Sequence, residues 1–248
     1  MGGRYLEVTL SDPFSNVALE EVLFDGLRVP TLRVWGNQPS VIIGRAQLAR
    51  FETDLEMCQK DKIPVVRRFT AGGAVYNGPG NLNWSFYVPR SSDGPGTGLF
   101  SANRVFATFA QKVVTALAAC GVQSEFRAPN GIFSHGGKVS GMAAYISRRA
   151  VLCHGTLLLD ADLGEVRRLT SPSAEVLLPR YPRSRDGPVA NCGVRSDHFA
   201  RCLFDASGFD LSADHLSAAE EEAATGLGSS KYADERWNLG DPFALDDL

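Results

Sequence analysis

Arg67-Arg68-Phe69-Thr70-Ala71-Gly72-Gly73-Ala74-Val75-Tyr76 is the stretch on which the reading of this chain turns. An apolar, β-branched run enters it, three small residues follow one another, and the chain returns towards a second strand-like run. Small residues let a backbone come close to a ligand, and successive free N–H groups there bind phosphate oxygens. Neighbouring residues of a strand point to opposite faces, so only one of Arg67 and Arg68 faces such a ligand. Taken alone, the same residues also describe a plain glycine-rich hairpin with solvated arginines.

Outward from this stretch, β-branched and alternating runs predict strands over 31–36, 40–44, 63–69 and 82–88. In the last of these, Leu82, Trp84, Phe86 and Val88 share one face, and Asn83, Ser85 and Tyr87 the other. The N-terminal residues enter a strand-like pattern at once, and further strands are expected at 138–146 and 151–160, joined by Ser147-Arg148-Arg149. Helices are expected at 15–26, 102–119 and 212–225. The second carries Val105, Phe109, Val113 and Leu117 at four-residue spacing and stops at Cys120-Gly121. In the third, Ser217 and Glu220 have capping-box spacing. Residues 89–98 and 181–188 read as loops, and the acidic end from Lys231 to Leu248 as partly ordered. Strands and helices mix without a βαβ rhythm, which makes the fold class α+β.

With 248 residues, 44% hydrophobic and 21% charged, the chain supplies a sizeable core in one large domain. It has neither a run of about 18 apolar residues, as a membrane helix needs, nor a signal-peptide pattern. A soluble, cytoplasmic protein is expected. Five cysteines without a C-x-x-C pair argue against a disulfide framework and against a zinc site. Residues 210–248 hold ten acids and two bases, a net of −8, which leaves +5 in the rest. A mildly basic body suits anionic ligands or an acidic partner protein, while a nucleic-acid binder would carry a denser basic stripe.

Two further clusters stand out. In Gly136-Gly137-Lys138-Val139-Ser140-Gly141-Met142-Ala143-Ala144, a lysine sits where a glycine turn enters a strand of small residues. A point charge there suits a phosphate or a carboxylate, although most lysines in such turns are merely exposed. In Val151-Leu152-Cys153-His154-Gly155-Thr156-Leu157-Leu158, an apolar strand is interrupted by His-Gly, a sign of close backbone approach to a ligand or to another strand. A hydrogen-bonded structural histidine fits it as well.

All three clusters occur together and in this order, and in this the chain resembles the lipoate–protein ligase A family, within the wider biotin/lipoate ligase and octanoyltransferase group. Members carry Arg-Arg-x-Ser/Thr-Gly-Gly-Gly-Ala-Val-Tyr/Phe-His, then Gly-Asn-x-Asn-x-Ser-Phe and an Asn-Asp-Ile-like turn. Gly-x-Lys-Ile/Val-Ser-Gly-Ser-Ala and His-Gly-Thr-Leu-Leu follow. The matching residues here are Arg67 to Tyr76, Gly80 to Phe86, Asn130-Gly131-Ile132, Gly137 to Ala143 and His154 to Leu158. Three positions depart: Ala71 stands for the first glycine of the triplet, Asn77 for the usual histidine and Met142 for the common serine. The alanine is tolerated if its φ is negative. The asparagine removes a titratable group, and the methionine beside Lys138 reshapes the acyl pocket.

The resemblance implies a biotin/lipoate protein ligase-like fold of mixed, mainly antiparallel sheets flanked by helices, over residues 1–243, with an acidic tail at 244–248. It also implies a two-step reaction. The carboxylate of lipoate attacks the α-phosphate of ATP to give lipoyl-AMP and pyrophosphate, and a lysine amine of a lipoyl domain then takes the acyl group. Such chemistry needs charge neutralisation and positioning more than proton transfer. Lys138 fits as the catalytic cation between carboxylate and phosphate. Arg68 (rather than Arg67), Gly72, Gly73, Ala74, Val75 and Tyr76 fit the nucleotide together with Lys138. Asn81, Asn130, Ala143, His154 and Gly155 fit the acyl substrate. No protein metal ligand is implied, and a Mg2+ ion bridging the phosphates is expected. The implied acceptors are lipoyl-domain proteins, namely 2-oxoacid dehydrogenase acyltransferase subunits and the glycine cleavage H protein.

Two other functions are open. An ATP-independent octanoyl- or lipoyl-transferase would need a cysteine nucleophile. One transferase type places it where this chain has Pro172-Ser173, another where it has Ala128-Pro129-Asn130, which leaves Cys153 and Cys192 to consider. The third reading is a non-catalytic binding or regulatory subunit, against which the retained Lys138 and Arg68 argue. Longer family members continue after Trp-Asn-x-Gly into a small accessory domain. Trp237-Asn238-Leu239-Gly240-Asp241-Pro242-Phe243 is followed by five residues only, so a separate accessory subunit is expected to be needed for adenylation.

Overall fold

A computed structural model describes residues 2–90, 98–99, 101–170, 184 and 187–242. In chain order the elements are β1 (Gly3–Glu7), α1 (Pro13–Asp25), β2 (Thr31–Trp35), β3 (Ser40–Ile43), α2 (Ala49–Glu52), α3 (Leu55–Lys60), β4 (Val65–Arg67), β5 (Val75–Asn77) and β6 (Asn81–Pro89). Then follow α4 (Ala102–Ala119), β7 (Glu125–Arg127), β8 (Gly131–Ser134), β9 (Gly137–Ile146), β10 (Ala150–Leu158), α5 (Leu163–Leu169) and α6 (Ser196–Ala206). The chain continues through β11 (Leu211–Ala213), α7 (Ala218–Leu227), a π-helical turn (Gly228–Tyr232) and α8 (Glu235–Leu239).

Eight strands form one sheet in the order β11-β1-β2-β6-β10-β9-β8-β7, and a second, three-stranded sheet runs β4-β3-β5. The β11, β1 and β2 neighbours are parallel, as are β3 and β4, and the other pairs are antiparallel. The fold is thus α+β with mixed, mainly antiparallel sheets.

The alternation in β6 decides what each face of the large sheet carries. Leu82, Trp84, Phe86 and Val88 join Val151 and Cys153 of β10 in the main core, under Val105, Phe109 and Val113 of α4 and Phe199 and Leu203 of α6. Each such side chain contributes about 1.5–3 kcal/mol by leaving water. On the other face Tyr87 and Leu152 pack against Leu19 and Leu23 of α1. Asp12 caps α1 by accepting from the Ser15 backbone N–H, and Pro13 opens its first turn. This helix buries Ser15, Asn16 and Glu20 along with its apolar residues, so it lies inside the molecule rather than on it.

The helix expected at 102–119 has those bounds. Others differ. Leu211–Ala213 is a strand, because the edge of β1 accepts it as a parallel neighbour, and the helix starts only after Ser217, where the Ser217/Glu220 capping box forms. The expected strand over 63–69 shortens to Val65–Arg67, because Arg68 already leaves for the loop. Helix α6 was not expected. The acidic C-terminal stretch is more regular than its composition suggests, with Tyr232, Trp237 and Asn238 buried. The expected tail at 244–248 and most of the two expected loops (91–97, 181–183 and 185–186) lie outside the described residues. Among the described residues, no helix is long and apolar enough to cross a membrane.

Candidate active site

The second strand of the hairpin β8-β9 brings in Lys138. Its backbone N–H donates to Pro188 O at 2.8 Å and its carbonyl accepts from Ala190 N at 3.1 Å, which fixes the strand's start against the 188–190 segment. Gly137 allows this contact, since a Cβ there would lie 2.7 Å from the Val189 carbonyl carbon. The lysine side chain runs between two more glycines. A Cβ at Gly131 would meet its Cε at 3.3 Å, and one at Gly141 would meet both Cε and Nζ at 3.3 Å. The small residues of this cluster therefore make the channel in which the lysine lies.

Facing it, residues 68–74 connect β4 to β5. Gly72 has φ of +106°, and a Cβ on it would meet Arg68 Nη2 at 2.7 Å, so glycine is required there on two counts. Ala71 is absent from the positive-φ residues, which explains how it replaces a glycine. Arg68 lies behind the loop. Its Nη2 donates to Ala71 O (2.8 Å) and Gly73 O (2.9 Å), Nη1 to Ile42 O (3.3 Å) and Nε to Thr70 Oγ1 (3.0 Å). Burial lowers its pKa to about 10, which leaves it charged at neutral pH. Arg67 points the other way and is fully buried, not solvated. Its guanidinium donates to the carbonyls of Arg45, Gln47, Trp237, Asn238 and Gly240 at 2.5–3.1 Å. The Trp-Asn-x-Gly segment is thereby pinned to the back of the loop.

Between the two walls stands a buried polar chain. His154 on β10 lies opposite Ser85 of β6 and Ala143 of β9. Its Nδ1 is 2.6 Å from Glu20 Oε2 and its Nε2 2.8 Å from Thr70 Oγ1. Glu20 also accepts from Ser85 Oγ and from Tyr87 Oη. Burial pushes the Glu20 pKa up, but His154, the Ser85 hydroxyl and Arg33 outweigh it and hold the carboxyl below its ordinary value. The ring is thus held from both sides, by the ionised Glu20 carboxylate at Nδ1 and by the Thr70 hydroxyl, which accepts from Arg68, at Nε2.

These elements enclose a cavity of about 270 Å³. Arg68, Gly72, Gly73, Ala74, Val75, Asn130, Lys138, Ala143, His154 and Gly155 all line it, so most of the residues singled out in the sequence converge. Asn130 also ties the wall together by donating to Met142 O at 2.7 Å and accepting from Met142 N at 3.0 Å. Tyr76 and Asn81 stand outside the lining. Tyr76 packs with Val41, Ile43 and Leu158, and Asn81 Nδ2 donates to the Tyr76 carbonyl at 2.5 Å.

The lining also contains Glu20, Trp35, Asn77, Asn83, Ser85 and Ser184. Asn83 and Ser85 could have been found from the polar face of the 82–88 alternation. No sequence signal singled out Glu20, which follows Leu19 and precedes a second glutamate in α1. Nothing pointed to Ser184, whose Oγ accepts from Ala74 N at 2.7 Å.

Among the described residues the lining carries Arg68, Lys138 and a single carboxylate, so the cavity suits an anion. That carboxylate, Glu20, has both oxygens engaged, so among the described residues the lining offers a metal ion no uncommitted carboxylate. The cysteines are elsewhere. Cys153 alternates with His154 and points into the main core, and Cys192 is buried in the same core. Burial raises the pKa of both thiols, the opposite of what a thiolate nucleophile needs. Pro172-Ser173 lies outside the described residues.

Comparison with known proteins bears on this geometry. The family model described as the lipoyl protein ligase A/B catalytic domain matches residues 12–193. A putative lipoate-protein ligase A of Aeropyrum pernix is 33% identical over 187 residues, covering 74% of this chain and 66% of that protein. A bipartite lipoate protein ligase of Thermoplasma acidophilum, solved in a study of an archaeal lipoylation system with its E2 lipoyl domain, superposes with a TM-score of 0.82 at 27% identity, covering 97% of each chain. A lipoate-protein ligase A bound with ATP superposes with a TM-score of 0.81 at 27% identity, covering 97% of this chain and 99% of the other. The chain spans 66% and 45% of the length of the first two curated relatives it matches.

Proposed function

Because the chain belongs to the lipoyl protein ligase A/B catalytic-domain family, we propose that it is an ATP-dependent lipoate–protein ligase, forming lipoyl-AMP and passing the lipoyl group to a lysine of a lipoyl domain. The observation that carries this reading is one cavity with the Gly72–Ala74 backbone on one wall and Lys138 on the other. A nucleotide phosphate fits the glycine loop, where Gly72 and Gly73 bring no side chain of their own and Arg68 engages the Ala71 and Gly73 carbonyls; at the Ala74 N–H it takes the place of Ser184 Oγ. Lys138, in its glycine channel, neutralises the carboxylate and the α-phosphate as they approach. The acyl chain lies along Met142, Ala143, Val17 and Ile42. The His154–Glu20 pair positions this wall and does no acid–base work in adenylation.

Magnesium, where it accompanies ATP, is held by the phosphates, since Glu20 is committed. The acceptors are lipoyl-domain proteins of the acyltransferase and H-protein kind, and an accessory subunit completes adenylation, as the bipartite Thermoplasma acidophilum relative suggests. The test is ATP-dependent lipoylation of an acidic lipoyl domain, with and without a candidate accessory subunit. Lys138→Ala should abolish pyrophosphate release and leave the fold intact. Normal release in that variant removes Lys138 from the mechanism, and acyl transfer from a carrier protein without ATP would favour the transferase.

A further inference from the structure

On the sheet face opposite the cavity, helices α4 and α6 pack together. Helix α4 ends at Cys120, its C-cap residue. His198 and Cys202, four residues apart on α6, stand on one face of that helix. The sulfur of Cys120, a ring nitrogen of His198 and the sulfur of Cys202 all lie within 4.8 Å of one another. From these positions we propose that Cys120, His198 and Cys202 form a binding site for a thiophilic d10 cation of the zinc type, separate from the cavity.

The donor set and its geometry carry the proposal. Two thiols and an imidazole are the ligands such cations take, and no carboxylate or carbonyl competes in this group of three. A tetrahedral zinc with bonds of about 2.0–2.3 Å separates its donors by roughly 3.5–3.8 Å. The three atoms need to close by at most about 1 Å, within the reach of side-chain rotation at a helix end and on an outer face. His198 is exposed and both cysteines are half-buried, so an ion can enter and a water can take the fourth position. On binding, each thiol gives up its proton and bonds as thiolate while the imidazole donates its lone pair, and no redox partner is needed. The ion would staple the end of α4 to α6. Its ligands, distant in sequence and arranged as a lone Cys plus His-x-x-x-Cys, have no C-x-x-C signature, which is why the cysteine spacing argued against zinc.

The experiment uses the full chain, reduced and freed of metal, titrated with Co2+ as a spectroscopic probe and then with Zn2+. Thiolate-to-cobalt charge-transfer absorption, saturating at about one equivalent and displaced by zinc, is the expected result. Cys120→Ser, Cys202→Ser and His198→Ala should each weaken cobalt binding about tenfold or more and cancel the zinc-induced rise in Tm. His198→Ala, at an exposed position, keeps the test intact should a cysteine variant fold poorly. No charge-transfer band in the reduced wild type, or an undiminished band in Cys202→Ser or His198→Ala, overturns the proposal. So does a Cys120–Cys202 disulfide formed in air by a chain that takes no cobalt when reduced, which would make the pair a redox couple.

Discussion

Replacing Arg67 by glutamine should unfold this protein far more readily than any change on the cavity lining. The guanidinium satisfies five carbonyls at 2.5–3.1 Å, two from the α2 approach and three from Trp237, Asn238 and Gly240, with those of Gln47, Trp237 and Asn238 buried. Glutamine can donate to two. Each carbonyl left without a partner costs about 1–3 kcal/mol, and removing the desolvated charge returns part of that. A net loss of about 3–5 kcal/mol follows, comparable to breaking a buried ionic contact from one side. For a chain of this size, about 2–4 °C per kcal/mol converts this to a fall in Tm on the order of 10 °C. Thermal and urea melts read by circular dichroism give the global effect. Trp237 reports locally, because its indole donates to the Arg67 carbonyl at 2.7 Å. Arg67→Lys, which keeps the charge but not the fork, should fall between wild type and glutamine. If both variants melt within about 3 °C of wild type, the guanidinium is not what holds the C-terminal segment.

A methyl at position 141 would press on Lys138 from 3.3 Å, so Gly141→Ala should cut kcat/KM about tenfold with an unchanged Tm, and unaltered turnover would remove the channel from the argument. Glu20, held below its ordinary pKa of 4.5, stabilises the fold above that pH and loses this contribution as the pH falls through its lowered value. Glu20→Gln should therefore be destabilised by roughly 1–3 kcal/mol at pH 7, with the gap closing in acid, and a gap that widens in acid would contradict the assignment. Cys153→Ala should keep full turnover and wild-type activity should resist thiol reagents, because the sulfur is fully buried on the core side of β10. Loss of turnover with an intact fold would revive a thioester route.

The alternation of β6 and the period of α4 made the central sheet and its helix legible, because burial on one face leaves a repeat that composition cannot hide. Lys138, the glycine loop and His154 were legible only jointly, since each alone has an ordinary explanation and their meeting depends on β9 pairing with β10. The burial of Arg67 was not legible. Strand alternation says that it faces away from Arg68, but three of its five carbonyl partners come from residues 237–240, some 170 positions later. The same distance hid β11, whose three residues become a strand only because β1 presents an open edge. Glu20 and Ser184 were missed for a related reason: a polar residue's role is set by what the fold places opposite it.

The hydrogen-bonded chain from Arg68 through Thr70 and His154 to Glu20 joins a loop of the small sheet, a central strand of the large one and a buried helix. Mechanically, it is a weld. The two sheets cannot hinge apart at this seam without stranding charged groups in the interior, so that side of the cavity behaves as a fixed jaw. Breathing motions that admit and release bulky molecules are then left to the opposite rim, where two backbone bonds hold Lys138 to the 188–190 segment. Amide exchange should follow this division, slow at the 68–74 loop and fast at residues 188–190.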